Sequence, residues 1–254
     1  MTQAVHEAAF MLIEGYAVAE PQAPTAKPAE APFRLQIAPA VNAVVIVAHP
    51  DDETLWAGGT ILMHPDYNWF VVALCRKSDP DRSPKFFRAL QSYGATGVIA
   101  DLDDGPDQAP LPAQEVERTI LQLLPARPYD LILTHAPDGE YTRHRRHEQV
   151  SQVVIDLWQS GVISTRELRL FAYSDDAGRR LPEAIRSAHD YRTLPEKVCR
   201  EKYRLVTEVY GFDPESWEAR GMPSSEAFWC FKSPSALQSW LDRSRRQDES
   251  FGSV

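Results

Sequence analysis

Cysteine is scarce in this 254-residue chain. Cys75, Cys199 and Cys230 are odd in number, far apart and free of any C-x-x-C pair, which excludes a disulfide framework, a zinc knuckle and a dithiol redox motif. A reducing, cytoplasmic setting is the expectation. Long apolar runs are missing too. None approaches the ~18–20 residues that cross a bilayer, and Met1–Glu20 carries Glu7 and Glu14 where a secretory leader needs a basic region. No transmembrane segment and no signal peptide are expected. Positive charge is also short: 27 Lys and Arg face 36 Asp and Glu, a net charge of −9. That field repels polyanions, so nucleic acid is excluded as the main partner.

What is present is an ordinary globular composition, 43% hydrophobic and 25% charged. A chain of this length buries ~70–75% of its unfolded surface and needs no staples. In Ala19–Pro32, AEPQAPTAKPAEAP, nine of fourteen residues are Ala or Pro. Such a stretch holds no helix and buries little, so it reads as a linker within an N-terminal arm over residues 1–40. Residues 41–254 are then one α/β domain. Ahead of the linker, Ala8–Val18 is apolar enough to dock on its own domain or on a neighbouring subunit, which leaves a homo-oligomer open. A frayed terminus fits equally well.

Beyond Ala43, short β-branched runs alternate with longer helical stretches, the pattern of βα units feeding a buried parallel sheet. Strands are expected at Ala43–Val47, Trp69–Cys75, Val98–Ala100, Asp130–Thr134 and Leu168–Tyr173. Helices are expected near Glu53–Met63, Pro84–Tyr93, Pro112–Leu124, His144–Trp158, Pro195–Tyr210 and Ser235–Arg246. The alternation predicts a doubly wound sheet, helices on both faces, with ligands at the carboxyl ends of its strands. The aromatic run Ala227–Phe231 reads as core.

The densest chemistry follows the first strand, in Ala48-His49-Pro50-Asp51-Asp52-Glu53. An imidazole and three carboxylates at a strand end are costly unless something cationic binds there. His49 and Asp52 suit a divalent metal, since imidazole with carboxylate is a familiar zinc pair. Helix capping by Asp51 or Asp52 is the plainer alternative, and it explains one carboxylate but not the cluster. Gly58-Gly59-Thr60 follows. Neither the dinucleotide nor the P-loop glycine pattern occurs here, so the paired glycines are expected to let the first helix approach the sheet or a neighbouring loop closely. A second signal, after the fourth strand, is the run Thr134–Glu148, with His135 at the strand end and His144-x-x-His147 beyond it. His144 and His147, three apart at a helix start, can face the same strand end. His135 is placed to line the pocket or support a metal shell. Arg143, Arg145 and Arg146 read either as attraction for an anionic substrate group or as a solvated basic face.

These motifs, AHPDDE at Ala48–Glu53, Gly58-Gly59-Thr60 and His144-x-x-His147, resemble those of the PIG-L/LmbE-like zinc-dependent N-deacetylases, over about residues 43–160. That family acts on N-acetylglucosaminyl compounds. The resemblance implies a Rossmann-like fold, zinc held by His49, Asp52 and His147, Asp51 as general base, and His144 assisting the polarised carbonyl. It implies a small-molecule amino-sugar substrate. Arg82 matches the arginine of a family R-x-x-E whose glutamate is missing here, and Asp104 with Gly105 matches an Asp-Gly. Both are carried over as substrate contacts, Asp104 to a sugar hydroxyl. Arg143 stands where relatives have glycine. The departures bear on substrate identity more than on reaction type.

The chemistry is sound on its own physics. Three protein ligands leave zinc an open position and can bring a water's pKa toward ~7. Asp51, beside Asp52, is placed to take that water's proton and pass it to the leaving amine. His144 can support the oxyanion. Deacetylation of an N-acetylated amino sugar is the leading expectation. Amidase action on another acyl group and a catalytically silent zinc-containing sugar-binding module are its rivals.

Overall fold

In the computed structural model Ala43–Val47 are without solvent exposure, as a strand covered on both faces must be. The structure describes residues 40–107, 109–141 and 144–251. The Ala/Pro-rich linker, Ala8–Val18 and Arg143 lie outside the described residues. Those described fall within one compact unit, Pro39–Val254.

The elements run β1 (Asn42–Val47), α1 (Asp52–Met63), β2 (Asn68–Cys75), α2 (Arg82–Tyr93), β3 (Thr96–Leu102), α3 (Ala113–Leu123), β4 (Tyr129–Thr134), α4 (Arg145–Gln159) and β5 (Thr165–Phe171). There follow a small hairpin, β6 (Tyr173–Ser174) with β7 (Glu183–Ala184), then β8 (Asp190–Thr193) and α5 (Glu196–Arg204). α5 passes into a π-turn at Leu205–Val209, and α6 (Trp217–Gly221), β9 (Ser225–Phe231) and α7 (Pro234–Phe251) complete the chain. The main sheet has the order β3-β2-β1-β4-β5-β9-β8. Its first five strands are parallel, and β9 and β8 add an antiparallel edge. The fold is α/β and Rossmann-like, as expected.

Alternate residues of β1 feed two cores. Val45 and Val47 pack with Trp56 and Ile61 of α1, Phe86 and Leu90 of α2, and Leu205. Val44 and Ile46 pack with Ile120 of α3, Val154 and Trp158 of α4, and Leu237 of α7. The expected parallel strands and their helices are present with ends shifted by a few residues. The antiparallel edge and α6 were not expected. Ala227–Phe231 is indeed core, with Ala227, Phe228 and Phe231 buried, but it is also most of the strand β9.

That edge accounts for Gly58-Gly59-Thr60. Glu226 of β9 accepts hydrogen bonds from the Gly59 and Thr60 amides and the Thr60 hydroxyl, each at 2.7 Å, and is paired with fully buried Lys202 at 3.0 Å. A Cβ on Gly59 would stand 2.5 Å from Leu194 and 2.9 Å from Glu226 Oε1, so the glycine permits the carboxylate to seat against α1.

Chain order reverses between β1 and β4: β1 leads outward to β2 and β3, β4 to β5. Loops diverge at such a switch point and open a crevice at the strand ends. Both histidine-bearing segments emerge there.

Candidate metal centre

The turn out of β1 is strained at one residue. Asp51, ahead of α1, has φ +120°, a conformation rare outside glycine. Its carbonyl accepts from the amides of Thr54 and Leu55, while its side chain makes no capping bond. Neither Asp51 nor Asp52 is spent on capping: Asp51 Oδ2 meets Arg82 Nη1 at 2.5 Å, and Asp52 Oδ2 accepts from the His49 amide at 2.8 Å. The Arg82 guanidinium lies over the Phe212 ring, 4.5 Å from its centre.

His49, Asp52 and His147 converge. His49 Nδ1 is 3.2 Å from Asp52 Oδ2, His147 Nε2 is 3.3 Å from Asp52 Oδ1, and the two ring nitrogens are 3.3 Å apart. A tetrahedral cation with bonds of ~2.0–2.1 Å holds its donors about 3.3 Å apart. The donor types suit such an ion and the separations are of that order, the two to Asp52 being made by different oxygens of its carboxylate.

Glu140, fully buried, sets the ring orientations behind it. Its Oε2 lies 2.6 Å from His147 Nδ1 and 2.8 Å from His135 Nδ1. The Ala48 amide donates to His135 Nε2 at 3.0 Å, so the His135 proton is on Nδ1 and its other nitrogen is already used. His135 therefore supports the shell, its ring stacked 3.9 Å from that of His147. Bonding of Glu140 to His147 Nδ1 likewise turns Nε2 toward Asp52 and His49.

The electrostatics draw positive charge to these carboxylates. Burial opposes charge on every group, yet His147, with hydrogen bonds from His147 and His49, holds the Asp52 carboxyl well below the usual range. Burial likewise opposes a proton on His147, but Asp52 and Glu140 draw one on, raising it to about 10. Burial and the Asp52 charge push Asp51 up to about 8, with Arg82 opposing. The adjacent carboxylates thus differ sharply in proton affinity. Burial, with His147 and His49 nearby, presses His144 down to about 3, so its imidazole is neutral.

A cleft of about 250 Å³ opens over the triangle. His49, Asp51, Asp52, Arg82, Asp104 and His144 line it, and His147 lies buried beneath. The His144 ring is 4.6 Å from that of His49 and 4.3 Å from that of His147. The seven residues given site roles from the sequence, His49, Asp51, Asp52, Arg82, Asp104, His144 and His147, therefore meet at one place. Arg82 and Asp104 do so as members of ion pairs: Arg82 is held by Asp51, and Asp104 lies 2.5 Å from Arg76 and 3.2 Å from His49 Nε2. Arg146 corrects the sequence reading. It is 1% exposed, neither a solvated face nor an anion receptor, and donates to the carbonyls of Asp103 and Ala109, tying the loop after β3 to α4. Glu53 faces inward, bonded to Thr54, Tyr210 and the Asp51 amide.

Reading from the sequence missed Glu140, Arg76, Tyr141, Trp217 and Glu218. Glu140 and Tyr141 lie inside the second motif and were recoverable from it. Trp217 and Glu218 come from α6, some 70 residues beyond, with no local signal.

Residues 44–158 match the family described as PIG-L, GlcNAc-PI de-N-acetylase. Among solved structures, N,N'-diacetylchitobiose deacetylase from Pyrococcus horikoshii superposes with a TM-score of 0.57 at 17% identity, covering 79% of this chain and 88% of that one. The 4-carboxy-2-hydroxymuconate hydratase GalB of Pseudomonas putida KT2440 superposes at 0.53 and 16% identity, covering 75% and 95%. At these identities the likeness is one of fold. Uncharacterized protein L374 of Acanthamoeba polyphaga mimivirus is 21% identical over 179 residues, 64% of this chain and 76% of that protein. The match over residues 44–158 runs from within β1 to the last turn of α4, both histidine-bearing loops included, and it is over this segment that the chain is similar to the PIG-L family.

Proposed function

We propose that this protein is a zinc-dependent hydrolase that removes the acetyl group from an N-acetylated amino sugar or glycoconjugate. The observation that carries the reading is the His49–Asp52–His147 triangle with the uncapped, strained Asp51 opening on the same cleft. The match to the PIG-L family over residues 44–158 supports the reaction class, and the chitobiose deacetylase supports the kind of substrate.

His49, Asp52 and His147 would hold the metal, two imidazoles and a carboxylate being a donor set that suits zinc and leaves one position open. When bound, the metal supplies Lewis acidity toward the amide carbonyl and lowers the pKa of water. Asp51 Oδ accepts the proton of the attacking water and returns it to the departing amine nitrogen, so that the C–N bond breaks to acetate and a free amine. Arg82, fixed on Asp51 and packed on Phe212, orients that carboxylate. His144, neutral, donates a hydrogen bond to the oxygen that gains charge as the carbonyl becomes tetrahedral. His135 and Glu140 stand behind the ligands and hold them in place.

The hydratase on the same fold makes reaction type a matter for direct measurement. The test is acetate release from N,N'-diacetylchitobiose after chelation and again after zinc is restored. Zinc-dependent release supports the reading. Release of another acyl group from a panel of N-acyl glucosamines, without acetate, would redirect it to a different amidase. Zinc and sugar binding with no product would establish a silent binding module.

A further inference from the structure

The segment shared with the family ends at residue 158, but the cleft continues: Trp217 and Glu218 of α6 also line it. We infer that Trp217 and Glu218 form a recognition wall for an uncharged glycosyl group. The inference rests on the deacetylase reading for what happens at the metal, and it adds the class of substrate.

Trp217 is 39% exposed, and of the large hydrophobic side chains left exposed among the described residues it is the one that lines the cleft. An apolar ring held in water beside a reaction centre is unusual unless something covers it. The ring is fixed in place: the Ser216 hydroxyl caps α6 by accepting from the Ala219 amide, and Trp217 packs edge-on against Tyr141 with centroids 4.7 Å apart. Tyr141 in turn is 5.6 Å from the His144 ring and 5.4 Å from that of His147. The wall therefore stands one aromatic step beyond the His144 and His147 imidazoles. An acetamide carbonyl at the metal triangle carries its sugar ring toward that wall, where the C–H face of a pyranose can lie on the indole.

Charge selects within sugars. Among the described residues the cations lining the cleft are Arg76 and Arg82, and each is already paired, with Asp104 and Asp51. Asp51, Asp52, Asp104 and Glu218 are the carboxylates. A phosphate substituent would face Glu218 and have to draw an arginine from its partner. A sugar hydroxyl instead donates to the Glu218 carboxylate. The wall thus fits a neutral glycoside and disfavours an anionic one.

The test uses the full-length, zinc-loaded protein with N,N'-diacetylchitobiose as neutral probe and N-acetylglucosamine 1-phosphate as anionic probe. Binding is followed by ligand-observed NMR and turnover by acetate release. Chitobiose should bind more tightly than the phosphate. Trp217→Ala should weaken it roughly tenfold, the scale of one lost aromatic contact, and Trp217→Phe should restore most of that. Glu218→Lys should shift preference toward the phosphate, while Val162→Ser, at an exposed residue outside the cleft, serves as control. Equal chitobiose affinity in Trp217→Ala, or tighter binding of the phosphate by the unmodified chain, would overturn the inference. Chitobiose binding that depends on Trp217 without acetate release upholds the wall and sinks the deacetylase reading. Acetate release indifferent to Trp217 does the reverse.

Discussion

Glu140 Oε2 lies 2.6 Å from His147 Nδ1, and the same oxygen lies 2.8 Å from His135 Nδ1, so one buried carboxylate fixes two stacked imidazoles. The consequence is that Nδ1 of His147 keeps its hydrogen on Glu140, and Nε2 is the nitrogen at which a cation would replace the second proton. Glu140→Gln keeps the shape but weakens the acceptor, and its amide group, turned the wrong way, opposes an N–H donor. Zinc affinity should fall 10–100-fold, the usual cost of losing such an outer partner. Competition with a chromogenic chelator reads this directly, with circular dichroism to establish the fold. Unchanged affinity would remove Glu140 from any part in metal binding.

Asp104 separates two roles that the sequence could not. As a contact to a sugar hydroxyl it should govern KM. Placed 3.2 Å from His49 Nε2 and 2.5 Å from Arg76, it is better situated to hold His49. Asp104→Ala should lower zinc affinity by about tenfold or more, and at saturating zinc its KM should stay near that of the unmodified chain. A large rise in KM with zinc affinity intact would return Asp104 to the substrate.

The parallel half of the sheet was legible because its strands are buried on both faces and read as continuous β-branched runs, such as Ala43–Val47. The metal triangle was legible because its members sit in two short motifs at the ends of β1 and β4. The β8–β9 edge was not. Its strands mix charged, aromatic and small residues with no continuous β-branched run, and Glu226, a buried carboxylate, looks in sequence like any surface glutamate. What makes it structural is Lys202, 24 positions away, and the two amides of α1, a pairing of distant residues that no local pattern encodes. Arg146 misled for the same reason, its partners lying in the loop after β3.

That edge pair yields a stability prediction. Lys202→Met leaves the Glu226 carboxylate buried without its counter-ion and should cost about 3–5 kcal/mol. Gly59→Ala, whose Cβ would collide with Leu194 and Glu226, should cost ~1–3 kcal/mol by overpacking. Urea titration measures both. Wild-type midpoints in both variants would show that α1 does not depend on its seat against β9.

Asp51 carries the sharpest prediction about chemistry. It lies beside Asp52 yet points to Arg82, and Asn matches it in size and shape at the same backbone conformation. Asp51→Asn therefore changes little but the carboxylate: the backbone is not newly strained, and Asp52, His49 and His147 keep their places. Zinc content should stay at that of the unmodified protein, while acetate release falls by ~10²-fold or more, the scale of losing a general acid–base group. Arg82→Ala provides the control, since it leaves the carboxylate but removes its anchor. Its loss should be smaller than that of Asp51→Asn, and the double variant should be no slower than Asp51→Asn alone, because the two act on one proton transfer. His144→Ala should also retain zinc and lose roughly 10²–10³ in turnover, as other oxyanion donors do. Full turnover in Asp51→Asn at saturating zinc would exclude Asp51 as the base. Glu53 is already committed to Thr54, Tyr210 and the Asp51 amide, so the proton would then have to leave by a group outside the β1 turn.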